Sequence, residues 1–142
     1  MITAQDLMTT QPFVTTPDAT IGEALRYMQA DAIRHIPVVN MEQKLVGIIT
    51  DRDIRLAMNS EHLQAPSLNA QILSETIVAD CMTTSVMTVA PDTPAYQVSE
   101  SLSAFKFDCL PVVDDQKLVG IVTVTDILEH YSALTRSKEG VA

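Results

Sequence analysis

The sequence has no apolar run approaching the ~20 residues needed to cross a bilayer, although 46% of its 142 residues are apolar. A membrane-spanning helix is therefore not expected. The apolar fraction is ample for a buried core and argues against global disorder. Basic residues are scarce: nine Lys and Arg stand against eighteen Asp and Glu, a net charge of −9. That balance argues against a general binder of nucleic acid or of an anionic membrane surface. It leaves room for a small anionic ligand, which responds to local fields. Cysteine is limited to Cys81 and Cys109, with no CxxC spacing. They read as reduced thiols of a cytoplasmic protein. His35, His62 and His130 show no metal-ligand spacing with each other or with a cysteine, so no zinc or other metal is expected. The opening MITAQDLMTT lacks a basic n-region and an apolar h-region, so it is not expected to be a signal peptide. No Ser–His–acid order, carboxylate pair or P-loop is present. Without a nucleophile beside a base, an enzyme is not expected.

What the sequence does have is a near-copy of itself. DLMTT (Asp6 to Thr10), TPDA (Thr16 to Ala19), IPVVN (Ile36 to Asn40) and KLVGIITDRDI (Lys44 to Ile54) come first. DCMTT (Asp80 to Thr84), APDT (Ala90 to Thr93), LPVVD (Leu110 to Asp114) and KLVGIVTVTDI (Lys117 to Ile127) follow in the same order. The offset is 74 residues up to Asn40 and Asp114, and 73 from Lys44 and Lys117 onward. One residue is missing from the second hairpin turn. A repeat of this kind dictates architecture. It divides the chain into repeat 1 (1–58), a linker (59–78), repeat 2 (79–133) and a C-terminal tail (134–142).

Phe13 to Thr15 and Met87 to Val89 are short and β-prone, and each leads to a proline. A helix follows in each repeat. Ile21, Ala24, Leu25 and Met28 share one face at 3.6 periodicity, and Thr20 with Glu23 forms a capping box. In repeat 2, Thr93 is the expected N-cap and Pro94 the first helical residue, with Ala95, Val98 and Leu102 as the apolar stripe. IPVVN and KLVGIIT are β-branched and bounded by turn residues, so they read as a hairpin. They are apolar without clean alternation, as strands buried on both faces are. A last helix starts at Asp51 or Val124. Each repeat is thus β-α-β-β-α, an α/β (α+β) fold, preceded by a segment around Asp6 or Asp80. A unit of about 55 residues has little core of its own, so two copies are expected to pack around a pseudo-twofold axis. The linker has a polar, proline-containing start and an apolar part (Leu68, Ile72, Leu73) that predicts a helix. Met8, Met28, Met58 and Met82 take core positions, and both cysteines pack as small hydrophobes. The tail HYSALTRSKEGVA either frays or extends the last helix across a dimer contact.

Each hairpin ends in the same pattern, GIITDRD (Gly47 to Asp53) and GIVTVTD (Gly120 to Asp126). The strand ends and a helix starts at the threonine. A helix N-terminus offers unpaired N–H groups and partial positive charge, which suits phosphate. Thr50 and Thr123 add a hydroxyl. Asp53 and Asp126, one turn inside, offer carboxylates that accept both hydrogens of a vicinal diol. Phosphate beside diol is the shape of a nucleotide. Thr-x-x-Asp at a helix start is equally a capping box, needing no ligand.

The combination of MTT, threonine or alanine before proline, hhPVV and GhhTxxD resembles two CBS repeats, the pair called a Bateman module. The resemblance covers Asp6 to Ala57 and Asp80 to Tyr131. It implies two repeats packed through their sheets, two clefts, an adenosyl ligand (AMP, ADP, ATP or S-adenosylmethionine), and disc-like homodimers. It makes Asp53 and Asp126 the ribose-binding aspartates, and Thr50 and Thr123 the phosphate-side threonines. It completes one cleft, around Thr123 and Asp126, with Thr10, Pro12, Arg34, His35 and Ile36. It completes the other, around Thr50 and Asp53, with Thr84, Val86, Asp108, Cys109 and Leu110. A guanidinium clasps phosphate and a carboxylate repels it, so the Asp126 cleft is expected to bind AMP-like ligands more tightly. Arg52, whose counterpart is Thr125, serves the Asp53 cleft or a dimer neighbour. Alternatively, Arg34 and His35 are a solvated helix end paired with Asp31.

Two functions remain. One is a regulatory adenine-nucleotide sensor acting through its own dimerisation or an unidentified protein effector, since 142 residues leave no room for an effector domain. The other is a structural dimerisation module in which the Thr-x-x-Asp boxes only cap helices.

Overall fold

A computed structural model describes residues 1–58 and 66–140. The helices are α1 (Ala4–Leu7), α2 (Ile21–Asp31), α3 (Asp51–Met58), α4 (Pro66–Glu75), α5 (Ala95–Phe105) and α6 (Val124–Lys138). The strands are β1 (Thr9–Thr10), β2 (His35–Val39), β3 (Leu45–Thr50), β4 (Cys109–Asp114) and β5 (Lys117–Thr123), with a 3-10 turn at Val78–Asp80. The chain forms two compact units. One is Phe13–Val86. The other joins Met1–Pro12 to Met87–Ala142. The start of the expected linker, 59–65, lies outside the described residues. Its apolar part is α4.

In unit 13–86, β2 and β3 form the expected antiparallel hairpin, from His35 opposite Thr50 to Val39 opposite Leu45. The β-prone Phe13–Thr15 contributes a single residue. Thr15 donates its N–H to Pro37 O (3.0 Å) and accepts from Val39 N–H (3.0 Å). Pro17, two positions on, has no N–H with which to extend the ladder. Along α2, Ile21, Ala24 and Met28 are buried and Leu25 packs at the margin of the core. Thr20 Oγ1 accepts the Glu23 N–H at 3.1 Å, while the backbone of Thr20 bridges to Ile77. Ile36, Val38, Ile49, Ile54 and Val78 complete the core, with Ile72 and Leu73 of α4 packed against it.

In unit 1–12/87–142, β1, β5 and β4 form a sheet in that order. Ala4 and Leu7 of α1 join Val98, Leu102, Leu110, Val112 and Val122 in the core. Val89 repeats the single-residue bridge of Thr15, donating to Pro111 O (3.0 Å) and accepting from Val113 N–H (2.9 Å). The start of α5 differs from expectation: the helix begins at Ala95 with Pro94 as its cap. The Thr93 hydroxyl instead accepts from Ala90 N–H at 3.0 Å, closing the preceding turn. The first helical N–H, that of Ala95, reaches Ile2 O at 2.9 Å. With that donor satisfied by backbone, the helix start does not need the Thr93 side chain.

The hairpin turns explain the lost residue. In the first, Asn40 Oδ1 accepts from Glu42 N–H (2.9 Å) and Lys44 N–H (3.0 Å), and Gln43 is left-handed at φ 66°. In the second, Asp114 pairs with Lys117 across two left-handed residues, Asp115 (φ 50°) and Gln116 (φ 69°). A two-residue turn with both central φ positive is the tight form that suits strand twist.

The opening segment of each repeat folds with the hairpin of the other. Ala4 donates to Thr93 O and Gln5 to Pro91 O, at 2.8 and 2.9 Å. At the equivalent positions, Val78 donates to Ala19 O and Ala79 to Pro17 O, at the same two distances. Repeat boundaries in the sequence are therefore not the boundaries of the compact units.

Candidate functional site

The two Thr-x-x-Asp boxes sit where a strand turns into a helix. In unit 13–86, Thr50 N–H donates to Asp53 Oδ2 at 3.0 Å and Asp53 N–H donates to Thr50 Oγ1 at 3.1 Å. In the other unit, Thr123 N–H donates to Asp126 Oδ2 at 2.8 Å and Asp126 N–H to Thr123 Oγ1 at 3.2 Å. The Thr123 hydroxyl also donates to Asp126 Oδ2, at 3.1 Å. Both boxes are reciprocal caps. In each, the hydrogen bonds among the described residues fall on Oδ2 of the carboxylate and leave Oδ1 for a donor. All four side chains belong to half-buried residues.

Why the boxes stand at these ends follows from the strands beneath them. Gly47 and Gly120 let a second chain segment lie against the hairpin. A Cβ at Gly47 would stand 2.9 Å from Thr83 O, and one at Gly120 2.9 Å from Thr9 O. Real Cβ atoms do not approach oxygen so closely. Thr83 accordingly exchanges hydrogen bonds with Ile48 (2.8 and 2.9 Å), and Thr10 pairs with Gly120. The glycine of GhhT and the MTT of the opposite repeat are thus one contact. Both motifs were legible, and the resemblance had set Thr10 and Pro12 with Thr123 and Asp126, and Thr84 and Val86 with Thr50 and Asp53, the units in which they fall.

The other expected site residues distribute as follows. Unit 13–86 holds Thr50, Arg52, Asp53, Arg34, His35, Ile36, Thr84 and Val86. The other unit holds Thr123, Asp126, Thr10, Pro12, Asp108, Cys109 and Leu110. Within the first, His35 lies opposite Thr50 and Asp51 N–H donates to Arg34 O at 3.1 Å. Within the second, Cys109 lies opposite Thr123 and Val124 N–H donates to Asp108 O at 3.0 Å. Each Thr-x-x-Asp box is therefore flanked by the residues that precede hhPVV in its own repeat. The expected groupings of Arg34, His35 and Ile36 with Asp126, and of Asp108, Cys109 and Leu110 with Asp53, draw on residues of different units. Ile36 and Leu110 are buried in the two cores, whereas Thr10, Arg34, Arg52 and Thr84 are exposed. Among the described residues no ion pair joins Arg34 to Asp31; ion pairs do join Lys44 to Glu42 (3.1 Å) and Arg55 to Asp51 (3.7 Å).

Electrostatics separates the thiols. Burial, and secondarily the Asp108 carboxylate, pushes Cys109 up to about 12 from its ordinary 9.0. Cys81 is also raised, first by burial, then by Asp80, then by Asp53. Cys81 is thus close enough to the first box to feel its carboxylate, a link that sequence spacing did not reveal. Among the described residues no group of three or more His, Cys, Asp or Glu could hold a metal ion, and no helix is long and apolar enough to cross a membrane.

The CBS domain family model matches residues 4–60 and 78–133, both halves of the repeat. The chain belongs to the CBS-domain family. This CBS pair is 33% identical to inosine-5'-monophosphate dehydrogenase of Methanocaldococcus jannaschii over 96% of its length, yet spans only 25% of that enzyme. It resembles the crystal structure of a protein named for acetoin utilization, AcuB, from Vibrio cholerae (TM-score 0.84, 32% identity, 100% and 98% of the two chains). It also resembles CBSX2 in complex with AMP (TM-score 0.80, 30% identity, 96% and 100%). A third likeness is to a CBS domain pair in complex with 5'-methylthioadenosine and S-adenosyl-L-methionine (TM-score 0.76, 31% identity, 92% and 99%).

Proposed function

We propose that this CBS pair is a regulatory module that binds an adenosyl ligand, AMP, ADP, ATP or S-adenosylmethionine, and performs no catalysis. The carrying observation is the pair of Thr-x-x-Asp boxes. Each assembles a hydroxyl, a helix N-terminus and a carboxylate with one uncommitted oxygen. The first and third N–H groups of each helix start are already bonded, so the hydroxyl and the positive helix end are what suit phosphate, and the carboxylate suits the ribose diol. The structural relatives that carry AMP or S-adenosyl-L-methionine support the ligand class. Thr10, Pro12, Thr84, Val86, Arg34, His35, Ile36, Arg52 and Leu110 supply the rest of the binding surface, Ile36 and Leu110 through backbone. The protein works in the cytoplasm as a homodimer and signals through its assembly or a protein effector.

The two boxes bind unequally. The Asp126 box is the tighter site for phosphate-bearing ligands. Calorimetry with AMP on Asp53→Ala and Asp126→Ala tests this: Asp126→Ala removes the tighter event. Loss of that event in Asp53→Ala alone would mean that Arg34 and His35 serve the box they flank. Absence of any thermal shift with millimolar AMP, ATP or S-adenosylmethionine would count against the sensor reading altogether.

A second reading has an observation in its favour, since both caps are complete without a ligand. In a purely structural module, Asp53→Asn would cost about 1 kcal/mol and nucleotides would change nothing.

A further inference from the structure

We infer that a groove beside helix α2 is a binding site for a small organic amine, held through its ammonium group. The inference is independent of the nucleotide reading, because none of the groups it uses belongs to a Thr-x-x-Asp box.

The groove lies within unit 13–86. It has a volume of about 410 Å³, opens to solvent, and is lined by Thr15, Thr16, Asp18, Glu23 and Tyr27, with Val14 and Ala19 as its apolar members. Thr15 decides the reading. It is a polar residue only 7% exposed. Its backbone is taken up by Pro37 and Val39, but among the described residues its hydroxyl has no hydrogen-bond partner. Burying a hydroxyl unpaired is costly, and the fold does not demand it. At the equivalent position Val89 makes the same backbone bridge with an isosteric apolar side chain.

The groove's other polar groups are acidic. Glu23 gives its backbone N–H to the Thr20 cap, while among the described residues its carboxylate meets no donor and no ion pair joins it to Arg26. The hydrogen bond that Asp18 accepts among the described residues, from the Thr16 hydroxyl at 2.7 Å, falls on Oδ1 and leaves Oδ2 for a donor. Tyr27 stands one turn after Glu23 on the same face of α2, and its ring packs against Phe13 with centroids 5.4 Å apart. An alkylammonium matches this set. It carries three N–H donors and no acceptor. The Glu23 and Asp18 carboxylates take charge-assisted bonds, Thr15 Oγ1 takes the third, and the Tyr27 ring attracts the cation. An anion is repelled, and among the described residues no group of three or more His, Cys, Asp or Glu could hold a metal ion.

The second repeat serves as an internal comparison. Thr15, Thr16, Glu23 and Tyr27 correspond to Val89, Ala90, Gln97 and Ser101. The same scaffold therefore folds without these groups, and folding does not account for their convergence in repeat 1.

An amide NMR titration of the full chain with n-butylammonium chloride, against sodium chloride at equal ionic strength, tests the site. Saturable shifts should centre on residues 14–27, with a Kd of about 1–10 mM, the scale for a ligand of five heavy atoms. Glu23→Gln should weaken binding at least tenfold and Thr15→Val about threefold; each installs the residue of the other repeat, so the fold is kept. Neutral 1-butanol should give no saturable shift. Equal binding of 1-butanol would show a merely apolar groove and overturn the proposal. So would shifts that ignore Glu23→Gln, which would mark general attraction to an acidic chain. Unchanged affinity in Thr15→Val would remove the buried hydroxyl as a partner, and with it the site. No shift up to 50 mM, roughly five times the weakest Kd expected, would equally refute it.

Discussion

Gly47 and Gly120 leave no room for a side chain, because the oxygens of Thr83 and Thr9 occupy the place where a Cβ would be. Gly47→Ala or Gly120→Ala should each cost about 1–3 kcal/mol, the scale of overpacking, read as a lower urea midpoint with little change in slope. Ala32 presents the opposite case. It closes α2 in the left-handed region at φ 54°, a conformation that costs an L-residue about 1–2 kcal/mol. Ala32→Gly relieves that cost but loosens the unfolded chain, so a net gain of about 0.5–1 kcal/mol is expected from the same titration. Cys109 gives a pH signature. Its folded-state value, about 12, lies above its ordinary 9.0. The folded protein therefore keeps a proton that the unfolded chain releases, and this thiol leaves stability unchanged below about pH 9. As pH rises from 9 toward 12, stability falls. At pH 10.5 the wild type should lose about 1–2 kcal/mol more than Cys109→Ala, relative to pH 8.

At the scale of elements, local signals were legible where one chemical cue had one outcome. The 3.6 periodicity of Ile21, Ala24 and Met28 predicted the buried face of α2, and the Thr50 and Thr123 boxes predicted helix starts. Thr93 was less legible. A threonine next to a proline suits a cap, but its hydroxyl closes a turn on Ala90 once Ile2 O satisfies the helix N–H. That partner lies far away in sequence, so no local pattern announces it. Phe13–Thr15 looked like a strand and supplies one bridge, because β-propensity says nothing about whether a neighbour extends far enough to pair. The linker helix α4 packs on α2 through a gap at Gly22, where a Cβ would lie 2.8 Å from Leu73 O. Gly22→Val should therefore separate α4 from α2 and destabilise unit 13–86 by at least about 1 kcal/mol, seen as faster amide exchange in α4.

Across the whole molecule, the opening segments change places. Residues 1–12 complete the unit of 87–142, and residues 76–86 complete the unit that starts at Phe13. The two cysteines report on the two units separately. Removing residues 1–10 strips Ala4, Leu7 and β1 from the unit of Cys109, and burying a leucine-sized group is worth about 2–5 kcal/mol. Cys109 should then alkylate with iodoacetamide at least tenfold faster, while Cys81 stays near its wild-type rate. Equal acceleration of both thiols would show that the units unfold as one. Of the candidate site, Thr50, Asp53, Thr123 and Asp126 were legible because the box is local: four consecutive residues hold the cap. Which distant residues join each box is an expectation drawn from the resemblance to CBS proteins alone. The within-unit register places Arg34 and His35 beside Thr50 and Asp51.

The sequence by itself determined that the fold is duplicated, where helices and hairpins lie, and that the second turn is a residue shorter. These follow from periodicity, caps and turn residues, all interactions between near neighbours along the chain. Only the tertiary structure decided which MTT segment lies against which hairpin glycine. The two segments are close copies, and so are the two hairpins, so local chemistry offers either pairing. The choice is made by long-range backbone hydrogen bonds, Thr9 and Thr10 to β5 and Thr83 to Ile48.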